Sequence, residues 1–223
     1  MAPVTASRKS EYGDMALQWS GRLSLTRRIL AVNIFALALL AGGFFYLDSY
    51  RTRIVDARLE QSTRELRLLA IALESTPRQQ HDTLIAAFAQ KTDDRIRRYD
   101  TDGKLITDSF GLDAPRYRLR EPEDEPLRRH VARFLDKAVD NIVFADRPPN
   151  FREPTVDTAS AWPEVIAARK TGRDQSVERY APDRTPMISA AAALSDGGAL
   201  LATENARDIT RTVRAERLRL GFV

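Results

Sequence analysis

The stretch Ile29–Leu47, ILAVNIFALALLAGGFFYL, constrains this chain more than any other feature. It holds no charge, and Asn33 is its one strongly polar side chain. At about 1.5 Å per residue, a helix of this length crosses roughly 28 Å, near the hydrocarbon thickness of a bilayer. Arg27-Arg28 and Asp48 bracket it sharply. A buried core helix normally keeps a polar stripe, and this one is apolar all round. A cleaved signal peptide has a shorter apolar region ending in a small-x-small site. Ala41-Gly42-Gly43 offers small residues, but Phe44, Phe45 and Tyr46 follow at once. Residues 29–47 therefore read as an uncleaved membrane anchor. Orientation does not follow from charge: Arg22, Arg27 and Arg28 on one side face Arg51, Arg53 and Arg58 on the other. The positive-inside rule is left without a preference.

The rest of the composition belongs to a folded domain. Of the 223 residues 43% are hydrophobic, and 35 basic against 31 acidic residues leave a net charge of +4. Acids and bases are interleaved, so no concentrated cationic face is implied and no nucleic-acid partner is expected. The absence of cysteine excludes disulfide scaffolds, thiolate zinc sites, iron–sulfur clusters and cysteine nucleophiles. Two histidines cannot build a three-histidine metal centre. No phosphate-binding P-loop, dinucleotide fingerprint, HExxH or GxSxG occurs. No catalytic residue, metal or cofactor is expected for this chain.

Residues 1–28 mix Pro, Ser, Gly and charges, and read as a short tail. After the anchor a helical pattern runs from about Ser49 to Ser75 and is stopped by Thr76-Pro77. Its stripe is Val55, Leu59, Ser62, Leu66, Leu69 and Leu73, alternating steps of four and three. That 3.5-residue period fits a packing face within one chain and also a seam between two. Because the helix leaves a membrane anchor, Val55, Leu59, Leu66, Leu69 and Leu73 are the expected dimer seam, with Ser62 its weak point.

A short helix is expected over 81–90, then strands over 95–100 and 104–109 around Thr101-Asp102-Gly103. Asp-Gly between such runs is a hairpin signal, since glycine tolerates the positive φ of the turn. A helix over 127–139, an irregular proline-rich stretch over 146–158 and a helix from Trp162 to near Gly172 follow. Strands over 175–181, 187–194 and 199–203 then form a meander, and a helix over 205–220 closes the pattern. The class is α+β with an antiparallel sheet. Residues 48–217 form the expected domain, and 218–223 read as the start of a second span.

Three groups of side chains are candidates for chemistry. Histidine is the side chain whose unperturbed pKa lies near neutrality, so His81 and His130 are each candidate acid sensors; an exposed histidine on a polar helix start is the plainer reading. Arg97 and Arg98 beside Tyr99, with Arg95, can grip an anionic ligand; alternating strand residues facing water account for them equally. The acidic run Glu121, Glu123, Asp124, Glu125 reads as a solvated loop, because prolines stand where a calcium loop needs glycine.

The segment from Ser24 to Glu74, the hairpin RIRRYDTDGKLITDS, the run WPEVIAARKTG and the ending ALLATENARDITRTVRAERLRL together resemble ChvG-type sensor histidine kinases of alphaproteobacteria. The resemblance runs in order from about Ser24 to Val223. It implies a cytoplasmic N-terminus, an inner-membrane span and a periplasmic stimulus-sensing domain of PAS-like or Cache-like architecture. It also implies a homodimer, a small periplasmic repressor protein as partner, a cognate response regulator reached through a kinase region, and acid or envelope stress as the cue. A chemoreceptor, a cyclic-di-nucleotide cyclase and a single-span envelope interaction protein are the alternative settings for such a domain.

Overall fold

The computed structural model describes residues 24–115, 117, 119 and 148–221. Helix α1, Leu25–Glu74, runs 50 residues without a break. Its first part belongs to a compact unit ending at Gly42, and the remainder to a second unit, Gly43–Val223. Within the helix, Leu25–Gly43 is long and apolar enough to cross a membrane. Val32, Phe35 and Leu39 there are 66%, 64% and 62% exposed. An apolar helix with every face uncovered needs lipid rather than water around it. This window begins and ends four residues earlier than the expected 29–47.

The second unit is built on a five-stranded sheet of order β2-β1-β5-β4-β3. Its strands are β1 Arg95–Tyr99, β2 Leu105–Asp108, β3 Gln175–Tyr180, β4 Pro186–Ala193 and β5 Ala199–Asn205, all antiparallel. Helix α2, His81–Thr92, precedes β1, and a single turn α3, Ser109–Leu112, follows β2. Helix α4, Pro163–Thr171, precedes β3 and ends at Gly172 in the left-handed region (φ 67°). Helix α5, Arg207–Gly221, follows β5 two residues later than the expected start at 205. Asn205 is instead the last strand residue, paired with Met187. The hairpin and the meander stand where the turn chemistry places them, with Gly103 at φ 82°. The pairing that joins them, β1 with β5, brings Arg97 opposite Leu201. The expected helix over 127–139 lies outside the described residues.

Strand periodicity divides the sheet into two packed faces. Ile96, Ala190, Ala192, Leu200 and Ala202 face one core with Leu66, Leu69 and Leu73 of α1 and Ile85 of α2. Tyr99, Met187, Ala191, Ala199 and Leu201 face the other, with Trp162, Val165 and Ala168 around α4. A third cluster joins Val55 of α1 to Ile188, Ala206, Ile209 and Val213, at the junction of β5 with α5. The alanines of β4 keep the sheet surface low, so helices can lie close on both sides.

This packing corrects the expected dimer seam. Val55, Ser62, Leu66, Leu69 and Leu73 are 1–5% exposed within a single chain, and Leu59 packs against the third cluster. The stripe is the face that α1 turns to its own sheet. A 3.5-residue period satisfies such a face as well as a subunit seam, and burying each leucine contributes roughly 1.5–3 kcal/mol that α1 gains here without a partner.

Candidate functional site

β1 carries charges on both faces, and neither set faces water. Arg95, Arg97 and Tyr99 lie on the α4 side. Arg97 is fully buried, yet it is surrounded by acids. Its guanidinium pairs with Glu153, lies 2.8 Å from Asp157 Oδ2 through Nε, and sits 5.0 Å over the Trp162 ring. The Nε approach forms an ion pair without a well-aligned hydrogen bond. Tyr99 donates to Asp157 Oδ1 at 2.6 Å, and Trp162 Nε1 donates to the same oxygen at 2.9 Å. Burial, and then that bond to Asp157, push the Tyr99 hydroxyl far above its ordinary range. Arg95 chelates Asp108; burial opposes the Asp108 charge, but the Arg95 bonds outweigh it and hold the carboxyl below its usual range. Close by, Arg179 grips Glu164 at 2.8 and 2.7 Å, with the Glu164 side chain wholly buried.

On the opposite face, Arg98 donates to His81 Nδ1 at 2.6 Å and to Asp196 Oδ2 at 3.1 Å. An arginine can only donate, so Nδ1 accepts and the ring hydrogen is on Nε2, which donates to the Thr76 carbonyl at 2.8 Å. His81 is 6% exposed, not the exposed helix-start residue of the plainer reading. His130 lies outside the described residues.

The anionic-ligand reading of Arg97, Arg98 and Tyr99 is corrected by these contacts. Glu153, Asp157, Asp196 and His81 already meet both guanidiniums and the Tyr99 hydroxyl, and the one donor left over, Arg98 Nε, is buried. The physical reason is burial: a guanidinium removed from water needs acceptors around it, and the fold supplies them internally.

A different cluster has unspent electrostatic tension, at the place where α1, β5 and α5 meet. Arg58 of α1 reaches Glu204 Oε1 at 3.0 Å and Asp208 Oδ2 at 3.1 Å. Behind them lies Asp94, 3% exposed, with Oδ1 lacking a hydrogen-bond partner among the described residues. Burial, then the neighbouring Glu204 charge, push the Asp94 carboxyl up to about 8, with Glu65 adding to the effect. Burial also raises Glu204, against the pull of Arg58 and with the help of Asp208 and Glu65. One arginine thus faces four carboxylates from four segments. Burial and mutual repulsion favour the protonated forms of Asp94 and Glu204, while Arg58 ties α1 to β5 and α5. No single motif marks this cluster; Asp94 shows in sequence only as one of two aspartates before a strand.

With this geometry in place, comparison with known proteins is direct. The description "Sensor N-terminal transmembrane domain" matches residues 16–79, and "Stimulus-sensing domain" matches residues 79–183. The sensor protein ChvG of Rhizobium meliloti (strain 1021) is 27% identical over 242 aligned positions, covering 87% of this chain. The chain is similar to ChvG-type sensors across a sensor transmembrane domain and a stimulus-sensing domain. The sensor protein ChvG of Agrobacterium fabrum (strain C58) is 26% identical, again over 87% of the chain. The chain spans 41% and 40% of those relatives' lengths. The two family matches meet at residue 79, between α1 and α2. The chain is therefore a membrane-anchored sensory region: an apolar helix followed by a stimulus-sensing α+β domain.

Proposed function

We propose that this chain is the periplasmic sensory portion of a two-component histidine kinase of the inner membrane, with residues 1–28 cytoplasmic and the domain from about residue 48 periplasmic. The observation that carries the reading is the continuity of α1, which enters the domain core directly from its apolar segment. A change inside the domain is then a change in how a membrane helix is held. The five-stranded antiparallel sheet with helices on both faces supports the PAS-like or Cache-like reading.

The cue is acid, read where Arg58 meets Glu204 and Asp208. Asp94, pushed up to about 8, holds its proton at neutral pH, and the charged form of Glu204 is the one Arg58 pairs with, against the burial that raises it. As pH falls, Glu204 gains a proton and that side of the clamp weakens, biasing α1 against α5. His81, held between Arg98 and the Thr76 carbonyl, is a second candidate for the acid cue. The active unit is a homodimer joined through the outer strip of α1, where Leu68 and Ile71 are 64% and 54% exposed. A small periplasmic repressor binds the domain, and a cognate response regulator receives phosphate from the kinase region.

The complete protein in nanodiscs provides the test. ATP-dependent autophosphorylation should change between acidic and neutral buffer, and Glu204→Gln should hold it near the acidic level at both. A pH response identical in wild type and Glu204→Gln would remove the acid clamp. Absence of autophosphorylation in any condition would remove the kinase reading. Alkaline phosphatase fused after Asp174 should be active; a cytosol-restricted reporter active at that point would reverse the topology.

A further inference from the structure

One concavity of the domain takes no part in either charged network. It has a volume of about 650 Å³ and opens at the sheet end where the β1–β2 and β4–β5 turns approach α4. Its floor is small and apolar, formed by Gly103, Gly197, Gly198 and Ala159, with Leu194 and the half-exposed Ile166 as walls. Three cations surround it: Lys104, Arg169 and Lys170. Arg169 donates to the Thr101 carbonyl, which fixes its guanidinium at the rim. Lys104 and Lys170 form no ion pair among the described residues, and Asp102, the one acid in the lining, pairs with neither. The arginines of the sheet and of α1 that face inward are met by carboxylates, as the two charged networks show. The two lysines at this groove are not. Thr158 and Ser160, hydroxyls 3.0 Å apart, add donors on the same side.

We propose that this groove binds a small anion with a carboxylate or phosphate head and a compact apolar body. Lys104 and Lys170 take the head, because an ammonium beside an anion in a concave, partly desolvated setting makes a charge-assisted bond stronger than a neutral one. Thr158 or Ser160 supplies a further hydrogen bond. The body lies over the glycine floor, against Ile166 and Leu194, where an apolar surface is otherwise left to water. A pocket of mostly apolar walls with a few convergent polar groups is the usual construction of a small-molecule site. This site is separate from the acid clamp and does not rest on it.

The full chain in zwitterionic nanodiscs, labelled with 15N-glycine, tests the proposal. The probes are sodium butyrate and sodium butylphosphonate, with sodium chloride at equal ionic strength as the control. Saturable shifts should appear at Gly103, Gly197 and Gly198, with none at Gly111, where nothing approaches within 4 Å. Response to one probe alone assigns the head group; response to both assigns an unselective acid site. Lys104→Ala with Lys170→Ala should weaken binding about tenfold or more, a change of roughly 1.4 kcal/mol. Lys91→Ala, an exposed lysine elsewhere, should leave binding unchanged, and Lys104→Arg with Lys170→Arg should retain it. An unshifted Gly111 signal and an unchanged melting temperature establish that each variant is folded. Equal affinity in the double alanine variant, or no saturable shift at the three groove glycines with either probe, would overturn the proposal.

Discussion

Arg58 and Glu204, 146 positions apart in the chain, meet at 3.0 Å, so that the helix leaving the anchor is tied to the strand that feeds α5. The pair belongs to a larger balance, since Asp208 shares the guanidinium and Asp94 lies behind in a site that resists charge.

Asp94 therefore makes the fold pH-dependent in a stated direction. Its folded pKa, about 8, exceeds the ordinary value near 3.8, so the folded state keeps a proton that the unfolded chain releases. The contribution is fully present below about pH 4 and declines as pH rises towards 8. Asp94→Asn should remove that decline, and at pH 8 should stabilise the domain by at least about 1 kcal/mol, one pKa unit being worth about 1.4 kcal/mol. Denaturation of wild type and variant across pH 5 to 9 measures it. A variant with the wild-type slope would mean that Asp94 ionises freely.

α1 offers a contrast between its two faces. Leu66→Ala should cost about 2–5 kcal/mol, because the side chain is 1% exposed in the core. Leu68→Ala should stay within about 0.5 kcal/mol. In a chain without cysteine, single cysteines at 68 and 71 should cross-link in membranes, whereas cysteines at 66 and 69 should not. Cross-linking through 66 and 69 instead would return the stripe to a subunit seam.

The buried pair Glu164–Arg179 should be costly to break and cheap to replace. Glu164→Ala strands a guanidinium beneath α4 and should destabilise by about 3–5 kcal/mol. Combining Glu164→Leu with Arg179→Met should recover most of the loss, since neither charge is then left buried alone. A thermal unfolding series on the single and double variants reads this directly.

Gly198 marks a close approach between β1 and the β4–β5 turn. A Cβ there would fall 2.5 Å from the Tyr99 carbonyl oxygen, so one backbone has to move. Gly198→Ala should lower stability by about 1–3 kcal/mol. Gly111→Ala, with open space around it, should leave the melting temperature unchanged.

The local elements of this protein are legible in its residues. An uncharged apolar run defines the anchor, Thr76-Pro77 ends α1, and Asp102-Gly103 turns the hairpin, each because the cause lies within a few residues of the effect. The stripe of α1 is also visible, but its period cannot say what covers it: the same leucines would suit a second subunit. Only the pairing of β1 with β5 places them on the chain's own sheet. The same holds for the charges. Arg97 and Arg98 read as strand residues open to water or to an anion, and it is Glu153, Asp157 and Asp196, 55 or more positions away, that close them. Asp94 and Glu204 carry no local signature, because a carboxylate's energy depends on its solvent and neighbouring charges. Periodicity and turn chemistry act over a few residues and belong to the sequence by itself. Burial and charge pairing act through space, so only the tertiary structure decides them.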